Sequence, residues 1–446
     1  MPAVPKLAAA AALTLALAGC APAIDAGQAR TCRTIIPAIN ASGAAIDILR
    51  ALPLRSGDGV RIEYRARAPA GPPRDRFLEC RFAASGYASP ERSGLIGVTT
   101  ESGRLGQLRL QILKRFWLEK EGAAADPEPV RNAASAPEVP RGLAKSLQHV
   151  VSALPPIAIY ALLAAAYSLV YGLVGRINLA FGELAAVGGY AAFLGFALAG
   201  PGPAVAGALA PALVLALIAG VAYGIAVGGF VFAPLMRRTG QQVLIGTIAL
   251  ALVLQEYLRL AQGPRLLWVQ PLLNEPYAVA RAGDFVVTVT PVAMAVALLC
   301  LLAALALLGL IKLSRFGRAW RACADDPLAA ELFGIDRDLV LLKTFALASA
   351  LAGLAGYVVT IYYGTFGYAG GIVIGLKSLI AAIVGGIGSV PGAVLGGILI
   401  GGVETLWSAL FPIEFRDLAV YILLVVLMLF RPSGLFGHGE PLPPKI

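Results

Sequence analysis

The chain has 446 residues, of which 58% are hydrophobic and only 14% are charged, and its mean hydropathy is +0.77. Soluble domains carry about 25% charged residues, so this composition excludes an ordinary soluble protein and indicates a membrane protein. The net charge of +10 comes from Lys and Arg scattered over short loops and the N-terminal part, without a basic stripe. We therefore expect no nucleic-acid partner.

Residues 1–20 have the pattern of a signal peptide. Lys6 precedes an apolar stretch that is too short for a permanent transmembrane helix. The stretch ends in Leu17-Ala18-Gly19-Cys20, which resembles a bacterial lipobox, where cleavage leaves Cys20 as a lipidated N-terminus. An uncleaved signal anchor, or a start codon assigned too far upstream, is the alternative. Cleavage would place the following residues outside the cytoplasm.

Residues 21–120 read as a small, strand-rich extracytoplasmic domain. The sequences GVRIEYRARA, FLECRFA, LIGVTTES and RLQILKRFW alternate apolar and polar residues, which predicts strands. Cys32 and Cys80 are a possible disulfide in an oxidising compartment, and two unpaired buried thiols are the alternative. Residues 121–145, rich in Pro, Ala and Glu, indicate a linker. The sequence assigns no function to this domain.

Residues 146–437 predict a polytopic transmembrane helical bundle, which makes the protein mainly α. The expected membrane segments are 149–174, 179–199, 203–233, 241–261, 288–311, 340–363, 372–386, 391–409 and 417–430. The two short segments on either side of GGIGSVPGA predict either a broken, re-entrant pair that lines a path or a tight hairpin of small residues.

The distribution of basic residues predicts the orientation. Arg237 and Arg238, and later a cluster of Lys312, Arg315, Arg318 and Arg321, follow segments that would end in the cytoplasm. Arg265, Arg281 and Arg416 fall in predicted outer loops, so the bias is incomplete. With nine crossings, the tail 438–446 lies in the cytoplasm, and we expect a multi-pass protein of the bacterial inner membrane.

The charged island RFGRAWRACADDPLAAELFGIDRD, residues 315–338, contains the signals of a short capped helix. Asp326 suits the N-cap, Pro327 the first helical position and Gly334 the left-handed position after the C-terminus. A helix of barely two turns is unstable alone. Because it still presents Leu328, Leu332 and Phe333, we expect it to dock into a partner. A solvated helix lying on lipid headgroups is the alternative.

Three motifs, in order along residues 147–437, resemble the branched-chain amino acid ABC transporter permease family, the LivH-like membrane subunits. GRAWRACADDPLAAELFGIDRDLVLLKTFALASALAGLAG is similar to that family's cytoplasmic coupling loop and following helix. YALLAAAYSLVYGLVGRINLAFGELAAVGGY is similar to its first helices, and GLKSLIAAIVGGIGSVPGAVLGGILIGGVE to its last Gly-rich hairpin. The chain departs from the family's Asn-Phe-Ala-His-Gly-Glu signature at Leu179 and Phe181, and its N-terminal domain is additional.

The resemblance implies a transport subunit rather than an enzyme. In such importers separate ATPase subunits use ATP, and the permease converts their closure into alternating access. The sequence agrees, since it contains no G-x-x-x-x-G-K-[ST], and GLKS at 375–378 lacks the spacing. The implied partners are the ATPase chains, a second permease subunit, a periplasmic substrate-binding protein and an amino acid, besides membrane lipids. No cofactor is expected in this chain.

Few polar residues occur at membrane depth, and each is a candidate for the translocation path. They are Asn178 and Glu183 at the start of the second segment, Lys377 in the seventh and Glu404 in the eighth. Helix capping is the alternative for Asn178 and Glu183, and a structural pair or a subunit contact for Lys377 and Glu404. Cys300 and Cys323 have no metal-ligand spacing, and no metal site is expected.

Three other classes of function compete with an ATP-driven importer. An ion-driven secondary transporter would also suit a broken hairpin, but not the capped helix. An intramembrane enzyme lacks support because neither G-x-S-x-G nor H-E-x-x-H occurs. A lipidated solute sensor would use residues 21–145 to bind its ligand. The sequence leaves the transported solute open.

Overall fold

The computed structural model divides the chain into two compact units. The first comprises Met1–Ala144, Phe196–Ala210 and Leu267–Pro291, and the second comprises Lys145–Gly195, Pro211–Leu266 and Val292–Ile446. The described residues are 26–40, 44–54, 59–67, 72–82, 95–101, 103–106, 109–110, 113, 136–199, 205–236, 238–263, 267–269, 273, 276–283, 285–411 and 415–436. The predicted signal peptide with Cys20, linker residues 121–135 and the tail 438–446 lie outside them.

In the first unit, one helix packs on an antiparallel sheet. Helix α1 is Ala26–Ile39, and the strands are β1 (Ala45–Pro53), β2 (Gly59–Arg67), β3 (Arg74–Phe82), β4 (Leu95–Thr100) and β5 (Gly103–Arg104). Their order in the sheet is β1-β2-β3-β4-β5, with each strand antiparallel to the next. The strand-rich N-terminal domain is therefore confirmed, and three of the four alternating sequences form β2, β3 and β4.

The fourth alternating sequence, residues 109–117, does not form a strand in its described residues, so the prediction of a strand there was wrong. Arg109 and Leu110 are helical, and Leu113 is buried in the core of the domain. Leu110 and Leu113 lie three positions apart and share one helical face. Over so short a stretch, alternation does not distinguish a strand from an amphipathic helix.

The core of this domain lies between α1 and one face of the sheet. Successive strand residues point to opposite faces, so Val60, Ile62 and Tyr64 of β2 are buried together. Cys32 of α1 and Cys80 of β3 form a disulfide with their Cα atoms 5.8 Å apart. The structure thus contains the pairing that the sequence offered as one of two possibilities.

The other face of the sheet carries paired charges. Arg61 bonds Glu79 at 3.0 Å, and Arg65 bonds Asp75 at 2.6 Å across neighbouring strands. The hydrogen bond from the Arg65 guanidinium holds the pKa of the Asp75 carboxyl below its ordinary value. Cross-strand ion pairs of this kind are typical of a solvated sheet face and contribute little individually.

Also in the first unit, a hairpin meets the end of the linker. Strand β6 is Leu267–Trp268, and β7 (Tyr277–Ala282) pairs antiparallel with β8 (Phe285–Val289). The Val139 N–H donates to the Arg281 carbonyl at 2.8 Å, and the Arg281 N–H donates to the Pro137 carbonyl at 2.9 Å. Arg281 also pairs with Glu138 at 2.8 Å, so the linker ends in an ordered segment.

The described part of the membrane region is mainly helical. The helices are α2 (Arg141–Val174), α3 (Phe181–Ala199), α4 (Val205–Ala226, continued by a π-helical turn Val227–Phe232 and by Ala233–Leu235), α5 (Gly240–Gln262), α6 (Pro291–Leu313), α7 (Arg315–Asp325), α8 (Pro327–Leu332), α9 (Arg337–Tyr363), α10 (Gly370–Gly385), α11 (Val390–Leu410) and α12 (Arg416–Phe430). The two residues of β9, Thr365–Phe366, follow α9.

Each of the nine predicted apolar segments is a helix. Among the described residues, seven helices are long and apolar enough to cross a membrane: α2, α3, α4 with its continuation, α5, α6, α9 and α11. Helices α10 and α12, with 16 and 15 residues, are shorter than the roughly 20 residues that a bilayer requires. Helix α2 begins at Arg141, before the predicted boundary at 146. The polytopic helical bundle with an N-terminal strand domain is confirmed.

Glycines bring the α10–α11 hairpin against its neighbours. A Cβ at Gly396 would lie 2.7 Å from the Gly385 backbone nitrogen of α10, and one at Gly401 would lie 2.6 Å from Ile157 Cα of α2. Small residues at such positions let helix backbones approach closely within a membrane. The hairpin is therefore tightly packed. This agrees with the second interpretation of the sequence, a tight hairpin of small residues. A role in the path stays a prediction.

Candidate functional site

Helix α7 folds back against the end of α6. Ser314 caps it, because its Oγ accepts a hydrogen bond from the Gly317 N–H at 3.0 Å. The Arg321 guanidinium donates to the carbonyl of Ile311, in the last turn of α6. Gly317, Trp320 and Cys323 form the buried side of α7. These contacts fix α7 at one end of the helices of the second unit.

Helix α8 follows α7 without a linker, because one residue caps both. The Asp326 N–H donates to the Ala322 carbonyl of α7 at 3.1 Å. Its side-chain Oδ1 accepts hydrogen bonds from the Leu328 and Ala329 N–H groups, both at 3.0 Å. Two backbone donors of α8 are thereby satisfied, as expected of an N-cap. Pro327 occupies the first helical position.

The C-terminus of α8 has the predicted left-handed residue. Gly334 has φ +81°, a conformation that glycine adopts without the steric cost of a side chain. Its N–H donates to the Glu331 carbonyl at 2.9 Å, and the Ile335 N–H donates to the Ala330 carbonyl at 3.0 Å. The helix is fixed at both ends by local hydrogen bonds, and Ala330 is its buried contact.

The apolar side chains of α8 are exposed. Leu328 is 71%, Leu332 is 89% and Phe333 is 87% exposed. Beside them lies a groove lined by Glu331, Gly334, Ile335, Asp336, Arg337 and Asp338. The surface is therefore an apolar knob with an acidic border. Leu332 and Phe333 are too exposed to contribute to the packing of this chain.

The outer side of α7 carries the opposite charge. Arg315, Arg318 and Arg321 are exposed, and their helix joins α8 directly. Cys323, on the buried side of α7, is a free cysteine, and burial raises the pKa of its thiol. A protonated, buried thiol is a weak nucleophile, consistent with a packing role for Cys323.

After α2, the chain turns back alongside that helix before α3 begins. The Asn178 N–H donates to the Tyr167 hydroxyl at 2.8 Å, and Asn178 Oδ1 accepts from the Ala180 N–H at 3.0 Å. Tyr167 precedes the end of α2 by seven residues, or about 10 Å along a helix axis. Helix α3 therefore begins beside α2 rather than beyond its end, and Asn178 serves as a turn cap.

Glu183, in the first turn of α3, is buried without a hydrogen-bond partner among the described residues. It is 1% exposed, and neither carboxylate oxygen is paired. A Cβ at Gly371 would lie 2.6 Å from its Oε2, so the carboxylate touches the first turn of α10. Helix N-termini carry partial positive charge, and two of them meet at this side chain.

Lys377 and Glu404 form a buried ion pair. Lys377 Nζ lies 3.1 Å from Glu404 Oε1, and the side chains are 5% and 7% exposed. Two charges at the start of α12 complete a neutral cluster: Asp417 Oδ1 lies 2.7 Å from Lys377 Nζ, and Arg416 Nε lies 3.0 Å from Glu404 Oε1. This matches the structural-pair alternative. Among the described residues, no hydrogen bond or ion pair links the cluster to Asn178 or Glu183.

Three residues that the structure places in these networks were not predicted from the sequence as site residues. Arg416 was treated only as an exception to the charge bias, and Asp417 was not considered, although adjacent opposite charges before an apolar segment were a visible signal. Trp320, an aromatic residue among the arginines of α7, donates its indole N–H to the Leu169 carbonyl of α2 at 3.2 Å. Only the fold brings these two residues together.

These features define a multi-pass membrane protein with a short capped helix at one end of its bundle and isolated polar groups within its helices. The protein family described as "Branched-chain amino acid transport system / permease component" matches residues 150–430. This covers well over half of the chain and all of α3 to α12. The chain belongs to this family of membrane permeases.

Curated relatives agree with this assignment. The permease protein LivH of the high-affinity branched-chain amino acid transport system of Escherichia coli K12 is 34% identical over 306 residues, covering 66% of this chain and 96% of the relative. LivH of Salmonella typhimurium is 35% identical, and BraD of Pseudomonas aeruginosa, with the same description, is 32% identical, each over 296 residues. No solved structure matches the chain. The family match begins at residue 150, after the N-terminal domain.

Proposed function

We propose that this chain is the membrane subunit of an ATP-binding-cassette importer for branched-chain or related amino acids. Its partners are separate ATPase subunits, a second permease subunit and a periplasmic substrate-binding protein. The chain carries no nucleotide motif, so ATP is bound and hydrolysed by the partners. Family membership supports the transport role, and the substrate class is that of the relatives' transport systems.

The observation that carries this proposal is the exposure of Leu332 and Phe333 on a doubly capped helix. Exposed apolar groups on an ordered element mark an interaction site. Asp326 joins α8 directly to α7, with no flexible loop between the two helices. A displacement of the knob therefore also displaces α7, which packs against the bundle. A cytoplasmic ATPase dimer that closes on ATP would supply this force.

For the path we propose the region around Asn178 and Glu183. An unpaired buried carboxylate is costly in a membrane protein and is a functional hypothesis by default. The adjoining N-termini of α3 and α10 offer partial positive charge to a substrate carboxylate, and Glu183 offers negative charge to its ammonium group. Lys377 and Glu404 belong to an ion-pair cluster with Arg416 and Asp417, so we assign them to the stability of the hairpin instead.

Reconstitution into liposomes tests the importer. We expect uptake of a branched-chain amino acid only when the ATPase subunits, the second permease, the binding protein and ATP are all present. A non-hydrolysable ATP analogue is the matched control and should support no uptake. Uptake by this chain alone, driven by a proton or sodium gradient, would contradict the proposal and favour a secondary transporter.

We propose further that the N-terminal domain is exported, with Cys20 lipidated and the coupling end in the cytoplasm. The disulfide between Cys32 and Cys80 supports an oxidising compartment, and the exposed arginines of α7 support a cytoplasmic location for that end. The domain's own ligand or partner is not assigned.

Alkylation of the denatured full-length protein from its native host tests this orientation. Without reductant, Cys300 and Cys323 should be labelled and Cys32 and Cys80 should not, because only the former pair is free. Peptide mapping should find Cys20 blocked by a thioether lipid. In a Cys80→Ser control, Cys32 should become reactive. Labelling of Cys32 and Cys80 before reduction would place the domain in a reducing compartment.

A further inference from the structure

The indole of Trp320 connects α7 to α2. The side chain is 6% exposed, and its Nε1 donates to the Leu169 carbonyl at 3.2 Å. The ring lies against Gly172, where a Cβ would come within 2.7 Å of its Cζ2 atom and 3.4 Å of the Gly388 carbonyl oxygen. Trp320 therefore packs on the last turns of α2, next to the point where Gly172 approaches the α10–α11 turn.

A second hydrogen bond leads from α2 to the candidate path. Tyr167 lies two residues before Leu169, and its hydroxyl accepts from the Asn178 N–H at 2.8 Å. The Tyr167 ring also meets the Phe181 ring edge-on, with centroids 5.4 Å apart. Asn178 and Phe181 lie five and two residues before Glu183. Two residues of one helix thus join α7 to the segment where α3 begins.

These contacts are suited to transmit displacement. Helices are stiff over a few turns, and packed interfaces shift between discrete arrangements rather than deform continuously. Helix α8 shares Asp326 with α7, so a push on α8 moves α7. The indole packs directly on the α2 backbone at Gly172, where there is no room for a Cβ between them.

We propose that Trp320 is the positioning residue that transmits movement of the coupling helix α8 to the substrate path, through Leu169 and Tyr167 of α2 to Asn178. This inference rests on the proposed importer function. The two hydrogen bonds act in series, so losing either one interrupts the same linkage. Contact with the ATPase, which α8 makes, would be unaffected.

Trp320→Phe is the test variant, because it retains an aromatic ring but removes the N–H donor. In the reconstituted full complex we expect normal assembly and continued ATP hydrolysis, with the substrate transported per ATP reduced roughly five- to tenfold, the equivalent of one hydrogen bond. Trp407→Phe is the matched control. The indole Nε1 of Trp407, in α11, has no hydrogen-bond partner among the described residues, so the transport ratio of Trp407→Phe should match that of the wild type.

Tyr167→Phe provides the second measurement. It removes the hydroxyl that Asn178 bonds while leaving Trp320 in place, and it should lower the transport ratio to a similar extent. Combined with Trp320→Phe, the effects should be less than additive, because both variants break one linkage. An unchanged ratio in either single variant, or full additivity, would overturn the inference. If Trp320→Phe fails to assemble, Tyr167→Phe alone decides.

These outcomes are separable from failure of the proposed function. If the wild-type complex transports without ATP, the importer is refuted whatever the variants do. If wild-type transport requires ATP and Trp320→Phe has a normal ratio, the importer stands and the transmission role fails. A loss confined to the ATPase rate, with an unchanged ratio of substrate to ATP, also refutes the role of Trp320.

Discussion

Leu332→Asp and Phe333→Asp are each expected to abolish stimulation of ATP hydrolysis by the substrate-loaded binding protein, while the chain still inserts and folds. Both side chains are almost fully exposed, so their replacement removes no packing within this chain. At an interface, an apolar anchor contributes on the order of 2 kcal/mol or more, so its loss weakens docking roughly 30-fold. Burying an unpaired carboxylate would add to that cost.

The measurement is ATPase activity and co-purification of the ATPase subunits with each variant. Leu49→Asp is the matched control: Leu49 is an exposed leucine, 48% accessible, on strand β1 of the N-terminal domain, remote in sequence from α8. It should leave both readouts unchanged. If both knob variants retain stimulated hydrolysis and their ATPase partners, α8 is not the docking helix and the solvated-helix alternative is correct.

The ends of α8 could be predicted from the sequence because the responsible interactions are local. Asp326 bonds the nitrogens two and three residues later, and Gly334 needs only its own backbone conformation. Apolar length similarly located the membrane helices, since a continuous hydrophobic segment is a property of consecutive residues. The position of α7 and α8 against the bundle could not be predicted in this way. It depends on the contact between Trp320 and Leu169, which are 151 residues apart.

The polar groups within the helices show the limit of sequence reasoning more clearly. Asn178, Glu183, Lys377 and Glu404 were all predicted as path residues by one criterion, charge or polarity at membrane depth. The structure divides them, because Lys377 finds Glu404 at a separation of 27 residues while Glu183 finds no partner among the described residues. Pairing is a tertiary property, and neither spacing nor composition reveals it.

Lys377→Met is expected to destabilise the protein strongly, by about 3–5 kcal/mol, because it leaves the two carboxylates of the cluster, Glu404 and Asp417, against the single cation of Arg416. Asp417 would lose its 2.7 Å partner in the same substitution. The expected result is poor accumulation in the membrane and a lower unfolding temperature of the purified protein.

The double variant Lys377→Met with Glu404→Gln should recover much of the lost stability. It removes one positive and one negative charge together, and it leaves Arg416 and Asp417, 3.7 Å apart, as a neutral pair at the start of α12. Replacing both members of a buried pair is often close to neutral, whereas removing one is not. The double variant should also transport with an unchanged substrate KM, since the pair only stabilises the hairpin. A stable double variant that has lost substrate transport would instead return Lys377 and Glu404 to the path.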